Sequence, residues 1–249
     1  MASVGDDRLD SGSLAATASE IASQLAERRD VDAVLLYGSV ARGDAESDSD
    51  IDLLIVGRDA GQTVAGFRRW VGSADLDRRA SYAFHTRESF ADLVDEGSRF
   101  LLHLRTEGQV LLDRTGQLTT FLSGPWQPVS VDVEIALALE RLENYERPEI
   151  FGGRFLFALA HVFSIGKAIV MARLTDEGHL EFNRRRAFEA FMHRHPDKAA
   201  DASLIASLEP FVALTRRRDA VLPFAPAGAL AADRLQESVA AVRRLAQRC

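Results

Sequence analysis

Residues 35–56 read LLYGSVARGDAESDSDIDLLIV, and this stretch constrains the fold more than any other. Two apolar segments suited to strands, 31–37 and 50–56, are joined by Gly38-Ser39 and a polar turn. Successive side chains on a strand point to opposite faces, so Asp50 and Asp52 share one face. Neighbouring carboxylates repel and raise each other's pKa unless a cation lies between them. Such oxygen ligands suit Mg²⁺, which is commonly held by one or two carboxylates together with substrate phosphates. A solvated acidic turn, with Gly-Ser as a simple reverse turn, is the plainer alternative. It accounts for the glycine and the polar run but not for paired carboxylates beside two apolar strands.

The arrangement Gly38-Ser39, ten residues, then Asp50-Ile51-Asp52 resembles the active-site signature of the DNA polymerase beta-like nucleotidyltransferases, in particular their minimal bacterial branch. The resemblance implies a small mixed-sheet α/β domain that moves a nucleoside monophosphate, AMP from ATP being the first choice, onto a hydroxyl. Two Mg²⁺ ions would serve that chemistry, one activating the nucleophile and one clamping the triphosphate. Asp50 and Asp52 are then the catalytic metal ligands. Gly38, having no Cβ, lets the backbone approach phosphate oxygens. Ser39 can donate through its N–H and hydroxyl, helped by a helix start near residues 40–42. Arg42 is a phosphate contact or a brace for the loop, and Ser49 shapes the entry to the second strand. Lys167, in an otherwise apolar helix, is carried as a nucleotide contact beside the plainer reading of a snorkelling lysine.

Active relatives place a third acid on a later strand, as general base and metal ligand. If that strand is 79–86, the matching place holds Ser81. Asp75 and Asp77 just upstream, Asp48 in the loop, and Glu140 and Glu143 in the helical region are the candidates to supply it. Without one, the chain is a nucleotide binder with weak or no catalysis. Arg154 with His161, and Arg186 with His193, fit the loose Arg/His pattern of HEPN ribonucleases. Seven positions put two residues on one face of any helix, so the plainer reading as core-edge or solvated residues is preferred.

The charge is uneven: the first 130 residues carry a net −8 and the rest +1. Generic nucleic-acid binders show a strong basic face, so polymer DNA or RNA is disfavoured. A cationic small molecule such as an aminoglycoside suits an acidic cleft. A protein hydroxyl is the other acceptor, and a homodimer is an arrangement known among minimal relatives. The polar, acidic N-terminus lacks the features of a signal peptide, and no apolar run is read as long enough to span a bilayer, so a cytoplasmic protein is expected. Cys249 is the only cysteine, leaving no disulfide framework and no cysteine-built metal site.

Strands are expected at 32–37, 50–56, 79–86 and 110–113, with helices at about 11–29, 65–71 and, in two pieces broken near Gly97, 88–104. Gly124, Pro125 and Pro128 mark a break. The nucleotidyltransferase domain is therefore 1–125 and an all-α helical bundle 126–249, with helices at 131–145, 151–174, 183–195, 199–218 and 227–247.

Overall fold

A computed structural model of the chain describes residues 11–46, 49–58, 80–216 and 227–247. The expected helix at 65–71, and Asp48, Asp75 and Asp77, lie outside the described residues. The chain divides into two compact units, Met1–Val129 and Ser130–Cys249.

The first unit is built on a mixed four-stranded sheet of order β3-β2-β1-β4. Its strands are β1 (Val31–Tyr37), β2 (Ile51–Gly57), β3 (Ala80–Thr86) and β4 (Gln109–Asp113). β1 is antiparallel to both β2 and β4, whereas β2 and β3 run parallel. The described helices are α1 (Ser11–Ala26), α2 (Gly38–Arg42), α3 (Arg87–Asp95), α4 (Arg99–Glu107) and α5 (Gln117–Ser123). Val34, Leu36, Ile51, Leu53 and Ile55 face one way and pack with Leu14, Ile21 and Leu25 of α1. Ala33, Leu35, Leu54 and Val56 face the other way, onto Phe90, Leu101, Leu104, Leu118 and Phe121. Burial on both faces explains why the two central strands read as nearly continuous apolar runs.

α5, which was not expected, ends just before the break marked by Gly124, Pro125 and Pro128. Leu118, Phe121 and Leu122 recur at helical spacing, and the first two are buried against the sheet. The segment after it also belongs to the first unit. Trp126 Nε1 donates to the Val94 carbonyl at 2.9 Å, and the Val129 N–H to the Gly97 carbonyl at 2.7 Å.

The second unit is helical: α6 (Val131–Leu142), α7 (Leu156–Asp176), α8 (Arg184–Arg194), α9 (Ala199–Ala206), α10 (Glu209–Arg216) and α11 (Gly228–Ala246). They close around one core in which Leu159, Phe163, Phe188, Phe191, Leu235 and Val242 are buried. Where the pattern suggests a helix from residue 151, α7 begins at Leu156. Gly152 and Gly153 take φ of +55° and +76°, a left-handed turn that a helix cannot contain. Where one helix is expected over 199–218, a turn at Ser207-Leu208 separates α9 from α10. Pro210, second residue of α10, has no N–H to continue the earlier ladder and is tolerated only in a first turn.

α7 also corrects the statement that no apolar run reaches bilayer length. At 21 residues it is long and apolar enough by length and composition, and most of it is buried inside the second unit. A helix apolar on every side is expected at the centre of a bundle.

Gly166 shows how closely α7 is approached. A Cβ there would lie 2.6 Å from Ile205 Cγ2 and 3.2 Å from Val242 Cγ2. Alanine gains about 1 kcal/mol in helix propensity over glycine. Overpacking costs about 1–3 kcal/mol and should win where two helices meet the same face. Gly166→Ala is therefore expected to lower the denaturation midpoint; an unchanged or raised midpoint would show that α9 and α11 yield freely.

Candidate functional site

Gly38 ends β1 and opens α2, with φ of +79° and its residue buried. A Cβ built on it would sit 2.5 Å from Asp52 Oδ2 and 3.3 Å from Asp52 Cγ. Both the backbone conformation and the space thus require glycine. The Asp52 carboxylate lies directly against the turn, although 14 positions separate the two residues in sequence.

Antiparallel pairing explains the meeting. Tyr37 is the register partner of Asp52 on β2, so the chain leaving β1 passes the start of β2. On the other side, Asp52 pairs with Ser81 in the parallel β2–β3 ladder. Paired residues of adjacent strands project to the same face. Ser81 is thus the β3 side chain beside Asp52, which turns the pattern-based alignment into a register position. Asp50 immediately precedes β2, and Asp50 and Asp52 are both partly buried. Among the described residues, no group of three or more His, Cys, Asp or Glu side chains is placed to hold a metal ion.

The loop leading to the carboxylates is closed locally. The Glu46 N–H donates to Ser49 Oγ at 2.8 Å, and the Ser49 N–H returns to the Glu46 carbonyl at 2.9 Å. The Asp44 N–H donates to the Ser39 carbonyl at 3.1 Å, binding the end of the turn to its start. Gly43, with φ of +80°, caps α2.

Glu107, the last residue of α4, was not expected at the site. Its Oε1 accepts the Gly38 N–H at 2.6 Å and its Oε2 accepts Arg42 Nη1 at 2.7 Å. His103 Nε2 lies 2.6 Å from Oε1, and the Glu107 side chain is only 5% exposed. Arg42 Nε also donates to Asp44 Oδ1 at 3.1 Å. No sequence signal separates a buried Glu at a helix end from a solvated one, and Glu107 is 69 residues from Gly38.

The remaining sequence candidates lie in the second unit. Lys167 is part-buried in α7, and Glu140 and Glu143 are exposed at the end of α6 and just beyond it. Arg154 precedes α7 and forms a β-bridge with Ala227, so the shared-helix argument fails for Arg154 and His161. His161 Nδ1 is instead 2.6 Å from the Tyr145 hydroxyl, whose pKa burial raises above its ordinary value. Arg186 and His193 do share α8.

A second polar cluster lies at the far end of the sheet, about 16 Å along β1 from Tyr37. The β1–β2 register shifts between Val31 and Ala33, at the position of Asp32, whose side chain is 1% exposed. Arg87 grips it with Nε to Oδ2 and Nη2 to Oδ1, both 2.7 Å, and Arg58 Nε lies 3.4 Å from Oδ1. Burial acts to raise the Asp32 pKa, but hydrogen bonding and charge from Arg87, then Arg58, leave it below the ordinary carboxylate value.

A glycine turn pressed against a strand carboxylate, on a mixed sheet layered with helices, defines a small α/β domain. Residues 19–117 match the family described as Polymerase beta, Nucleotidyltransferase. The matched residues fall within the first unit, which carries a nucleotidyltransferase-type domain. Two solved structures align with the chain. One is a toxin–antitoxin with AMP-PNP, at 17% identity and a TM-score of 0.29, over 43% of this chain and 80% of that one. The other is a nucleotidyltransferase-like protein from Exiguobacterium sibiricum 255-15, at 15% identity and a TM-score of 0.31, over 93% of this chain and 73% of that one. No curated protein matches the chain.

Proposed function

We propose that the first unit transfers a nucleoside monophosphate, AMP from ATP, onto an acceptor hydroxyl with release of pyrophosphate. The observation that carries this reading is the contact between the Gly38 turn and the Asp52 carboxylate. It sets the Gly38-Ser39 turn directly beside an oxygen ligand for a cation. Asp50 and Asp52 are hard oxygen donors suited to Mg²⁺, and only glycine lets the turn approach Asp52 this closely. Bound there, magnesium would neutralise charge gathering on the phosphates as pyrophosphate leaves. Ser39 donates to the phosphates through its N–H and hydroxyl. Ser49, by closing the loop on Glu46, sets where Asp50 begins. The acceptor is a cationic small molecule of aminoglycoside type, drawn by the acidic first 130 residues, or else a protein hydroxyl. The reaction belongs in the cytoplasm, where MgATP is supplied.

The Ser81 register favours a second reading. A serine beside Asp52 offers no carboxylate to take the acceptor proton. In that reading the domain binds MgATP and turns it over weakly or not at all.

Incubation with α-labelled ATP and Mg²⁺, with aminoglycosides in one arm and cell lysate in another, separates the two. Acceptor labelling abolished by EDTA is the expected result. Calorimetric MgATP binding without label in any arm supports the second reading, and absence of both binding and label would sink the nucleotide assignment.

A further inference from the structure

The nucleotide reading gives no role to the buried Glu107 carboxylate beside the turn. We propose that Glu107 is a positioning residue that sets the Gly38-Ser39 turn before nucleotide arrives; the proposal rests on that reading of the turn.

The geometry is that of a brace with two ends. Oε1 holds the first N–H of the turn, that of Gly38, while Oε2 holds Arg42 at the turn's other end. His103, one helical turn earlier on α4, stands 2.6 Å from Oε1. The same helix grips the preceding residue too. The Tyr37 ring meets Phe100 edge-on at 5.4 Å and His103 at 5.9 Å. α4 therefore contacts residues 37, 38 and 42, on both sides of Ser39.

A carboxylate that is 5% exposed persists only when its oxygens are well paired. These pairings do more than satisfy the charge. The first N–H groups of a helix have no intrahelical partner, and the Gly38 N–H would otherwise turn to water or to an incoming anion. Held by Glu107, Gly38 keeps its left-handed conformation against Asp52, and the turn need not be ordered when a phosphate binds. Pre-setting of this kind raises affinity by removing an ordering cost from the binding step. Arg42, engaged by Glu107 and Asp44, acts here as a brace for the turn and not as a phosphate contact.

The test compares wild type, Glu107→Gln and Glu107→Ala by MgATP calorimetry and by hydrogen exchange of the Gly38 amide. A carboxamide offers one acceptor oxygen where Gly38 and Arg42 converge on two, so its NH₂ must face a donor. The expected order of affinity is wild type, then Glu107→Gln, then Glu107→Ala, with about a tenfold loss for alanine and faster Gly38 exchange in parallel. A merely structural Glu107 would lower the melting temperature and leave cold affinity untouched, which overturns the proposal. Tighter MgATP binding by either variant also overturns it, because Glu107 would then be competing with phosphate for the Gly38 N–H. Should the alanine variant fail to fold, the glutamine variant decides by the same readouts. A wild type that binds no MgATP removes the nucleotide reading and the positioning role with it. A wild type that binds while both variants match it removes only the role of Glu107.

Discussion

Gly38→Ala is expected to abolish MgATP binding and nucleotidyl transfer and to destabilise the first unit. Two costs fall on the same atom. At φ of +79° an L side chain meets its own backbone, for about 1–2 kcal/mol. The added Cβ would also stand 2.5 Å from Asp52 Oδ2, so the carboxylate must swing away from the turn to relieve the clash. Either the turn leaves β2 or Asp52 leaves the turn, and both disperse the groups proposed to hold a metal-bound phosphate. Loss of one pre-set electrostatic group at an active site costs about 10²–10³ in rate, and displacement of the turn together with Asp52 should cost at least that. The control is Asp52→Ala in the Gly38→Ala background. It removes the colliding carboxylate, so it should recover part of the melting temperature and none of the transfer. Gly38→Ala that binds and transfers normally would show that the close approach serves folding alone.

The second large effect is on stability. Arg87→Ala is expected to destabilise the first unit, because it strips the two-pronged partner from the buried Asp32 carboxylate and leaves only the longer Arg58 contact. Asp32→Asn should cost less. Arg87 is 46% exposed and can turn to water, whereas Asp32, at 1% exposure, cannot. The pH dependence gives an independent check. In wild type the Asp32 pKa lies below its ordinary value, so the folded state binds fewer protons than the unfolded chain. Its contribution is complete above the unfolded pKa of about 3.9 and is lost as pH falls through the folded one. With both Arg58 and Arg87 changed to alanine, burial alone acts on Asp32 and raises its pKa. The sign then reverses, and the double variant should lose stability as pH rises from about 4 toward neutrality. Denaturant melts across that range measure both slopes. A double variant with the wild-type slope would mean that the arginines do not set the charge of Asp32.

Local patterns in the chain already announce much of this. Apolar runs mark the two central strands, and Leu14, Ile21 and Leu25 fall on the buried side of α1 as their spacing suggests. Gly38, Ser39, Asp50 and Asp52 can be named because the turn and the second strand lie within 15 residues. Features set by partners distant in sequence were not legible in this way. Glu107 reads like any helix-end glutamate until α4 packs across the sheet. Asp32 reads as a polar residue at a strand start, and only the β1–β2 irregularity with the distant Arg87 makes it a buried anion. α7 passes for a bilayer-length segment because hydropathy records what a helix is made of and not what surrounds it.

The division has a physical basis. Turn conformation, strand alternation and helix breaking act over a few bonds, so sequence alone determined the glycine turn, the paired carboxylates, the strand order in the chain and the helical second half. Register and close approach depend on groups far apart in sequence. Only the tertiary structure could set Ser81 beside Asp52, press that carboxylate against Gly38, and bring Glu107 across 69 residues to hold the turn.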